Sequence, residues 1–160
     1  MRGSDLRFGL GFDTHRPDPG RPCWLGGVLF EGEAGLAGHS DADVVCHALA
    51  DAMLGAAGLG DLGQHFPESD PEFEGIAGTD LLDRTRFLIR REGLEVSSCD
   101  CTLIADRPSV APRRDEMRHR LADVLGVSAD RVSIKATRPE GLGLSGDGAG
   151  CIALAVLARR

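Results

Sequence analysis

The residues of this chain best suited to chemistry are one aspartate and two histidines. Asp13 and His15 stand two apart in an extended segment, so their side chains project to the same side. His47 comes later, inside a predicted helix. One carboxylate and two imidazoles suit Zn²⁺, and three protein ligands leave the fourth tetrahedral position open for a substrate. The pattern therefore predicts a catalytic zinc site.

The same residues have an ordinary alternative. Asp-x-His arises often by chance, and a helical histidine with an aspartate one turn away is commonly a surface ion pair. Asp43 and Asp51 flank His47 at those positions, on the same helix face. If the metal site forms, we expect one of these carboxylates to orient an imidazole by accepting a hydrogen bond from its N–H.

A second cluster, His39-Ser40-Asp41, directly precedes that helix. The first N–H groups of a helix bind anions, and the His39 imidazole and Ser40 hydroxyl beside them favour a phosphate site. The alternative is ordinary capping, which Ser40 satisfies by itself. Capping gives His39 no role, so both interpretations stay open.

Two loops contain the remaining candidate functional residues. Residues 61–70 concentrate carboxylates and turn formers, so this loop either presents acceptors to a polyol or is simply solvated. Residues 135–140 precede a glycine-rich turn, where Glu140 could hold a hard divalent cation that bridges phosphate oxygens. Residues 141–146 match GxGxxG, but the next predicted strand begins at Cys151. That leaves no room for the helix of a dinucleotide-binding fold.

The composition narrows the class of function. The 160 residues fit one domain, and a net charge of −7 excludes a general binder of nucleic acids or anionic membranes. No apolar run approaches the ~18 residues of a membrane span, and no signal peptide is evident, so we predict a cytoplasmic protein. Five cysteines without a CxxC pair predict buried free thiols. Residues 1–5 read as a ragged terminus.

The predicted elements indicate a two-layer α+β domain over residues 1–160. A mixed four-stranded sheet would carry the helices on one face. The last strand is apolar at nearly every residue, whereas a strand with one wet face alternates, so we expect another subunit to cover its second face. Predicted strands are 6–12, 23–30, 94–105, 131–137 and 151–158, and predicted helices are 41–57, 79–92 and 112–125.

Four segments carry a resemblance to a known family: Phe12-Asp13-Thr14-His15, Gly38-His39-Ser40-Asp41-x-Asp43, His47-Ala48-Leu49-x-Asp51-Ala52 and Gly60-Asp61-Leu62-Gly63-x-x-Phe66-Pro67. Taken together, they resemble the 2-C-methyl-D-erythritol 2,4-cyclodiphosphate synthase family, and the resemblance runs from about Arg7 to the C-terminus. It implies a homotrimer built around the sheets, with active sites between adjacent subunits. The implied substrate is 4-diphosphocytidyl-2-C-methyl-D-erythritol 2-phosphate, whose 2-phosphate attacks the β-phosphorus and releases CMP.

The resemblance also implies two cations that offset the charge of the phosphates. It places Zn²⁺ on Asp13, His15 and His47, and Mg²⁺ or Mn²⁺ on Glu140.

The resemblance further implies the groups that act on the substrate. His39 and Arg138 would act at the phosphates, the loop 61–70 would hold the erythritol part, and the neighbouring subunit would hold the cytidine. The implied substrate-binding positions are Ser40, Asp61, Leu62, Gly63, Phe66, Pro67, Glu68, Ser69, Asp70, Ala105, Asp106, Arg107, Pro108, Ser109, Val110, Ala111, Ala136, Thr137, Pro139 and Leu144.

Four positions depart from the family pattern. Arg138 and Pro139 replace two threonines, and Ser109 stands where lysine is common. Asp147 replaces an arginine that in some members binds an isoprenoid diphosphate in the central channel of the trimer. Because Asp147 would repel such a ligand, we predict no effector site there. The departures keep two alternatives open: a diverged zinc-dependent nucleotide phosphohydrolase and a non-catalytic trimeric nucleotide-binding protein.

Overall fold

The computed structural model describes residues 5–143 and 147–160. Within them, strands and helices follow one another largely in the predicted order, with short 3₁₀ turns between several of them. The strands are β1 (Leu6–His15), β2 (Pro17–Asp18), β3 (Cys23–Leu25), β4 (Val28–Phe30), β5 (Gly35–Leu36), β6 (Leu94–Ala105), β7 (Val132–Thr137) and β8 (Ala149–Arg159). The helices are α1 (Val44–Ala57), α2 (Leu62–His65), α3 (Gly78–Arg91) and α4 (Arg114–Leu125).

The main sheet has four strands in the order β1-β8-β6-β7. β8 pairs antiparallel with both β1 and β6, and β7 pairs parallel with β6. The mixed α+β fold predicted from the sequence is confirmed. Because β1, β6 and β7 run in the same direction, their carboxyl ends lie at one end of the sheet.

The inner face of this sheet packs against the helices. Where helix α1 lies on strand β1, the β1 residues that face it are glycines. A Cβ atom added at Gly9 would lie 1.9 Å from the Ala52 carbonyl oxygen, and one at Gly11 would lie 1.9 Å from that of Ala48. Helix α1 is therefore in direct contact with the β1 backbone. This approach requires glycine at both positions, since any Cβ there would overlap the helix.

The outer face of the sheet, which carries no helix, is apolar. Phe8, Leu10 and Phe12 of β1 are exposed on it. Leu10 pairs with Leu154 and Phe12 with Ile152 in the β1–β8 register, so the exposed side chains form one continuous patch. Patches of this kind on a soluble chain mark an interaction surface.

Three of the differences from the predicted elements have a local cause. Helix α1 begins at Val44 rather than Asp41, because Asp43, not Ser40, is its N-cap. The predicted strand 23–30 is a hairpin, β3–β4, which turns at Gly26 and Gly27, both with positive φ. The loop 60–78 contains the short helix α2 and a 3₁₀ turn. In each case a local backbone hydrogen bond or turn outweighs the periodicity.

Two predictions about individual residue types can also be compared with the structure. All five cysteines are buried and free, as predicted. Within the terminus predicted to be ragged, the structure describes Asp5, which lies 3.0 Å from Arg159 in an exposed ion pair. Across the described residues, none of the helices combines the length and apolarity needed to cross a bilayer.

Candidate metal centre and active site

The predicted ligands Asp13, His15 and His47 meet at the carboxyl end of β1. Asp13 Oδ2 lies 2.8 Å from His15 Nε2 and 3.2 Å from His47 Nδ1, and the two nitrogens are 3.2 Å apart. Ligands about 2.0–2.1 Å from a tetrahedral zinc ion are about 3.3 Å from one another. The three atoms therefore have the chemistry and the spacing to hold one small cation. No other group of three such ligands was found among the described residues.

The opposite nitrogen of each imidazole has a protein partner. His15 Nδ1 lies 2.7 Å from the Ala37 carbonyl oxygen, and His47 Nε2 lies 3.0 Å from Ser40 Oγ. Because a carbonyl oxygen only accepts, Nδ1 of His15 carries a proton. Nε2 of His15 and Nδ1 of His47 are then the nitrogens that face Asp13 Oδ2, and they are the ones available to a metal. The histidines are thus oriented for metal binding.

The orienting role predicted for Asp43 and Asp51 is wrong. The Asp43 carboxylate is fully buried and accepts hydrogen bonds from the N-terminal amides of α1 and from the β3–β4 turn. Asp51 accepts from the amide of Leu62, which ties α1 to α2. The spacing around His47 placed both carboxylates on its helix face, but their hydrogen bonds go to backbone amides.

The charges of the triad depend on one another. Burial by itself would raise the pKa of Asp13, but hydrogen bonds with His15 and His47 outweigh it and hold the pKa at about 2. Burial would lower the pKa of His15, but its hydrogen bond to Asp13 raises that pKa above the ordinary value. Without a metal, the Asp13 carboxylate thus favours a proton on His15, and a bound cation would compete with that proton.

A cavity of about 170 Å³ opens beside the triad. It brings together the three ligands with six residues predicted for phosphate and polyol binding. Its remaining wall is apolar. This wall could not be predicted from the sequence, because Phe73, Ile76 and Leu81 have the appearance of ordinary core residues. The six predicted residues that line it are His39, Ser40, Leu62, Gly63, Phe66 and Glu68.

Other residues of the loop 61–70 lie outside this cavity. The Asp61 carboxylate accepts from the Gln64 amide and caps α2, and that of Asp70 accepts from the Glu72 amide and caps the next 3₁₀ turn. Pro67 and Ser69 do not line it either. Within this chain, therefore, the two aspartates have structural partners rather than a place in the cavity.

The predicted nucleotide segments lie elsewhere at the same end of the sheet. Ala136 and Thr137 end β7, and residues 138–140 follow it. β7 is separated from β1 by β8 and β6, or about 14 Å at ordinary strand spacing. Asp106, Arg107 and Asp147 line a second cavity of about 360 Å³. Leu144 lies outside the described residues. The remaining predicted positions of these segments are Ala105, Pro108, Ser109, Val110, Ala111, Ala136, Thr137, Arg138, Pro139 and Glu140, of which Pro108 and Ser109 line a third cavity of about 520 Å³.

Comparison with known proteins identifies relatives over almost the whole chain. A model described as the YgbB family matches residues 6–159. A 2-C-methyl-D-erythritol 2,4-cyclodiphosphate synthase of Desulfatibacillum aliphaticivorans is 49% identical over 94% of this chain and 97% of its own length. A bifunctional IspD/IspF enzyme of Anaeromyxobacter sp. is 53% identical, and this chain spans 39% of its length.

A solved structure shares the fold as well. The synthase structure described as a CDP-bound form has a TM-score of 0.87 and 34% identity, over 94% of this chain and 99% of its own.

Proposed function

The chain belongs to the YgbB family of 2-C-methyl-D-erythritol 2,4-cyclodiphosphate synthases, and from this premise we propose that it forms that cyclic diphosphate. The substrate would be 4-diphosphocytidyl-2-C-methyl-D-erythritol 2-phosphate. An oxygen of its 2-phosphate attacks the β-phosphorus, and the bond from that phosphorus to the bridging oxygen breaks. CMP leaves with this oxygen and its electron pair. The observation that carries the proposal is the convergence of Asp13, His15 and His47 on one point.

The residues of the metal centre and its cavity have distinct roles in this reaction. Asp13, His15 and His47 would hold Zn²⁺, which when bound supplies positive charge against the developing charge on a phosphoryl oxygen. His39 and Ser40 line the same cavity, and in this proposal they would contact a phosphate. Phosphoryl transfer requires little covalent help from a protein, so orienting the two phosphates in line is the main task of these side chains.

Glu140 would belong to a second cation site, for Mg²⁺ or Mn²⁺. Its carboxylate is exposed, and Arg138 beside it is exposed as well. The metal triad lies at the other edge of the sheet. A cation on Glu140 would therefore take its other ligands from the diphosphate of the substrate, and Arg138 would add positive charge there.

We further propose that the active site is completed between the subunits of a homotrimer. A cavity of about 170 Å³ is smaller than the roughly 300–1,000 Å³ of typical ligand sites, and the cytidylyl substrate is large. Residues 105–111 and 136–140 lie away from the triad within one chain, at the same end of the sheet. Packing three copies through the apolar outer faces would bring the β7 edge of one copy towards the β1 edge of the next.

The reaction products test this function. The chain is incubated with the cytidylyl substrate, Zn²⁺ and Mg²⁺, and ³¹P spectra are followed. Release of CMP with a cyclic diphosphate is expected. A linear monophosphate product would instead identify a hydrolase, and binding of CDP without turnover would identify a non-catalytic nucleotide-binding protein; either result would overturn the proposal.

A further inference from the structure

A single short segment, residues 35–40, supplies the outer hydrogen-bond partner of both histidine ligands. We call it the strap. Its Ala37 carbonyl oxygen accepts from His15, and its Ser40 hydroxyl lies 3.0 Å from His47 Nε2. Apart from the two residues of β5, the strap belongs to neither a helix nor a sheet. Its position must therefore be held by other contacts.

Arg21 holds the strap at three points. Its guanidinium donates from Nη1 to the Gly38 carbonyl oxygen, at 2.5 Å, and from Nη2 to the Ser40 carbonyl oxygen. Its own carbonyl oxygen accepts from the Gly35 amide at 3.0 Å. The two carbonyls reached by the side chain lie on either side of His39, so the planar guanidinium spans the part of the strap nearest the metal centre.

The strap lies close enough to the histidines for its position to affect them. A Cβ atom added at Gly38 would lie 3.2 Å from Cε1 of His15 and 3.3 Å from its Nδ1. Even one further carbon atom on Gly38 would thus crowd the imidazole ring. A displacement of a few tenths of an ångström at Gly38 or Ser40 would change the angle at which the imidazoles face the metal.

We propose that Arg21 is a positioning residue for the metal centre, acting through the strap on His15 and His47. The inference rests on the proposed function for the metal but concerns a residue outside the ligand set. A guanidinium presents two N–H groups in one plane and holds two carbonyls at once, whereas an ammonium is a single point of charge. Lysine at this position would keep the charge but lose the two-point contact.

Loss of the guanidinium leaves the rest of the strap attached. The Ala37 amide still donates to the Arg16 carbonyl oxygen at 2.8 Å, and the Gly75 amide still donates to that of His39 at 2.8 Å. The carbonyls of Gly38 and Ser40 would turn to water. We therefore expect a loosened metal centre in a folded protein.

The test compares Arg21→Lys with Arg118→Lys. Arg118 offers a matched control, because its guanidinium also donates to two backbone carbonyls, those of Val132 at 3.1 Å and Ala129 at 2.9 Å, beside β7. Zinc affinity is measured by competition with a chelator, and the visible spectrum of Co²⁺ in the site reports its geometry. Arg21→Lys should weaken zinc about tenfold and alter the Co²⁺ bands. Arg118→Lys should stay within about twofold of the wild type.

Three outcomes would overturn the proposal. Arg21→Lys could keep the zinc affinity and the Co²⁺ spectrum of the wild type, or Arg21→Lys and Arg118→Lys could lose zinc affinity equally. The third outcome is full zinc affinity in Arg21→Lys together with a loss of zinc affinity in a further variant, Arg21→Met. The last would show that charge, not geometry, is what Arg21 provides. Thermal unfolding of each variant separates loosening of the site from loss of the fold. Failure of the proposed function itself would be seen in the wild type, as absent zinc binding or absent cyclic product.

Discussion

The two faces of the main sheet follow opposite rules. On the inner face, β1 presents Gly9 and Gly11, and the backbone of α1 lies directly against them. On the outer face the same strand presents Phe8 and Leu10, which are 62% and 70% exposed. Alternation along a strand sends neighbouring residues to opposite faces. One face is therefore completed by the chain itself, and the other has the character of a surface that a second chain completes.

The two faces would therefore contribute to the proposed active site in different ways. The inner face positions the metal centre, because the β1 residue Gly11 touches Ala48 directly next to His47 and stands two residues before Asp13. The outer face would bring in the nucleotide-binding segments of another copy. Changes on the inner face should damage zinc binding within each chain. Changes on the outer face should damage assembly first.

The largest expected effect comes from removing the ligand that α1 supplies. His47→Ala should weaken zinc by about 10³-fold or more, since even partners of the ligands cost 10- to 100-fold. Turnover should disappear while the assembled state persists, as measured by metal content after dialysis and by light scattering. His119→Ala is the control, because that imidazole is exposed and bonds only its own helix at Asp115. Wild-type turnover in His47→Ala would contradict the site.

The second largest effect is expected from introducing a β-branched residue on the inner face of the sheet. Gly11→Val places a side chain where the Ala48 carbonyl oxygen already lies, so we expect a loss of about 3 kcal/mol or more in the free energy of unfolding by urea. Gly55→Ala is the contrast: nothing lies within 4 Å of its added Cβ on α1, and alanine should stabilise by about 0.5–1 kcal/mol. Equal stability of the two variants would show that α1 does not pack directly against the β1 backbone.

A charged residue introduced on the outer face should disrupt assembly and have little effect on zinc binding by each chain. Leu10→Asp should dissociate the oligomer in sedimentation and lower turnover at least about tenfold, because burying an unpaired carboxylate is costly. Zinc affinity per chain should change less than about threefold. Phe87→Asp on α3, which is 64% exposed away from this face, should leave the assembly intact. An oligomer that survives Leu10→Asp would place the subunit interface elsewhere.

The smallest effect is expected from pH. The raised pKa of His15 means that the metal-free site keeps its proton to a higher pH than an ordinary histidine does. Zinc must displace that proton, so its apparent affinity should fall about tenfold per pH unit below this pKa. Leu10→Asp should show the same profile, because the outer face does not touch the triad. An affinity independent of pH would show that zinc displaces no proton from the site.

Part of the metal centre could be predicted from residue types alone. The two-residue spacing of Asp13 and His15 put them on one side of a strand, and His47 was the helical imidazole that completed the set. Its orienting partners could not be predicted. One is the backbone carbonyl of Ala37, which leaves no trace in a sequence. The other is the Ser40 hydroxyl, for which the sequence leaves helix capping and phosphate binding open and does not indicate a histidine partner.

Most of the elements, the family and the types of the candidate ligands could be inferred from the sequence, because periodicity, turn residues and metal-binding side chains are local properties. The hydrogen bonds of Asp43 at the start of α1 and in the β3–β4 turn depend on the folded chain, as do those of Arg21 with the strap. The same holds for the position of β7 at the opposite edge of the sheet from β1. A backbone amide or carbonyl is the same at every residue, so its partner is chosen by how the chain folds in space.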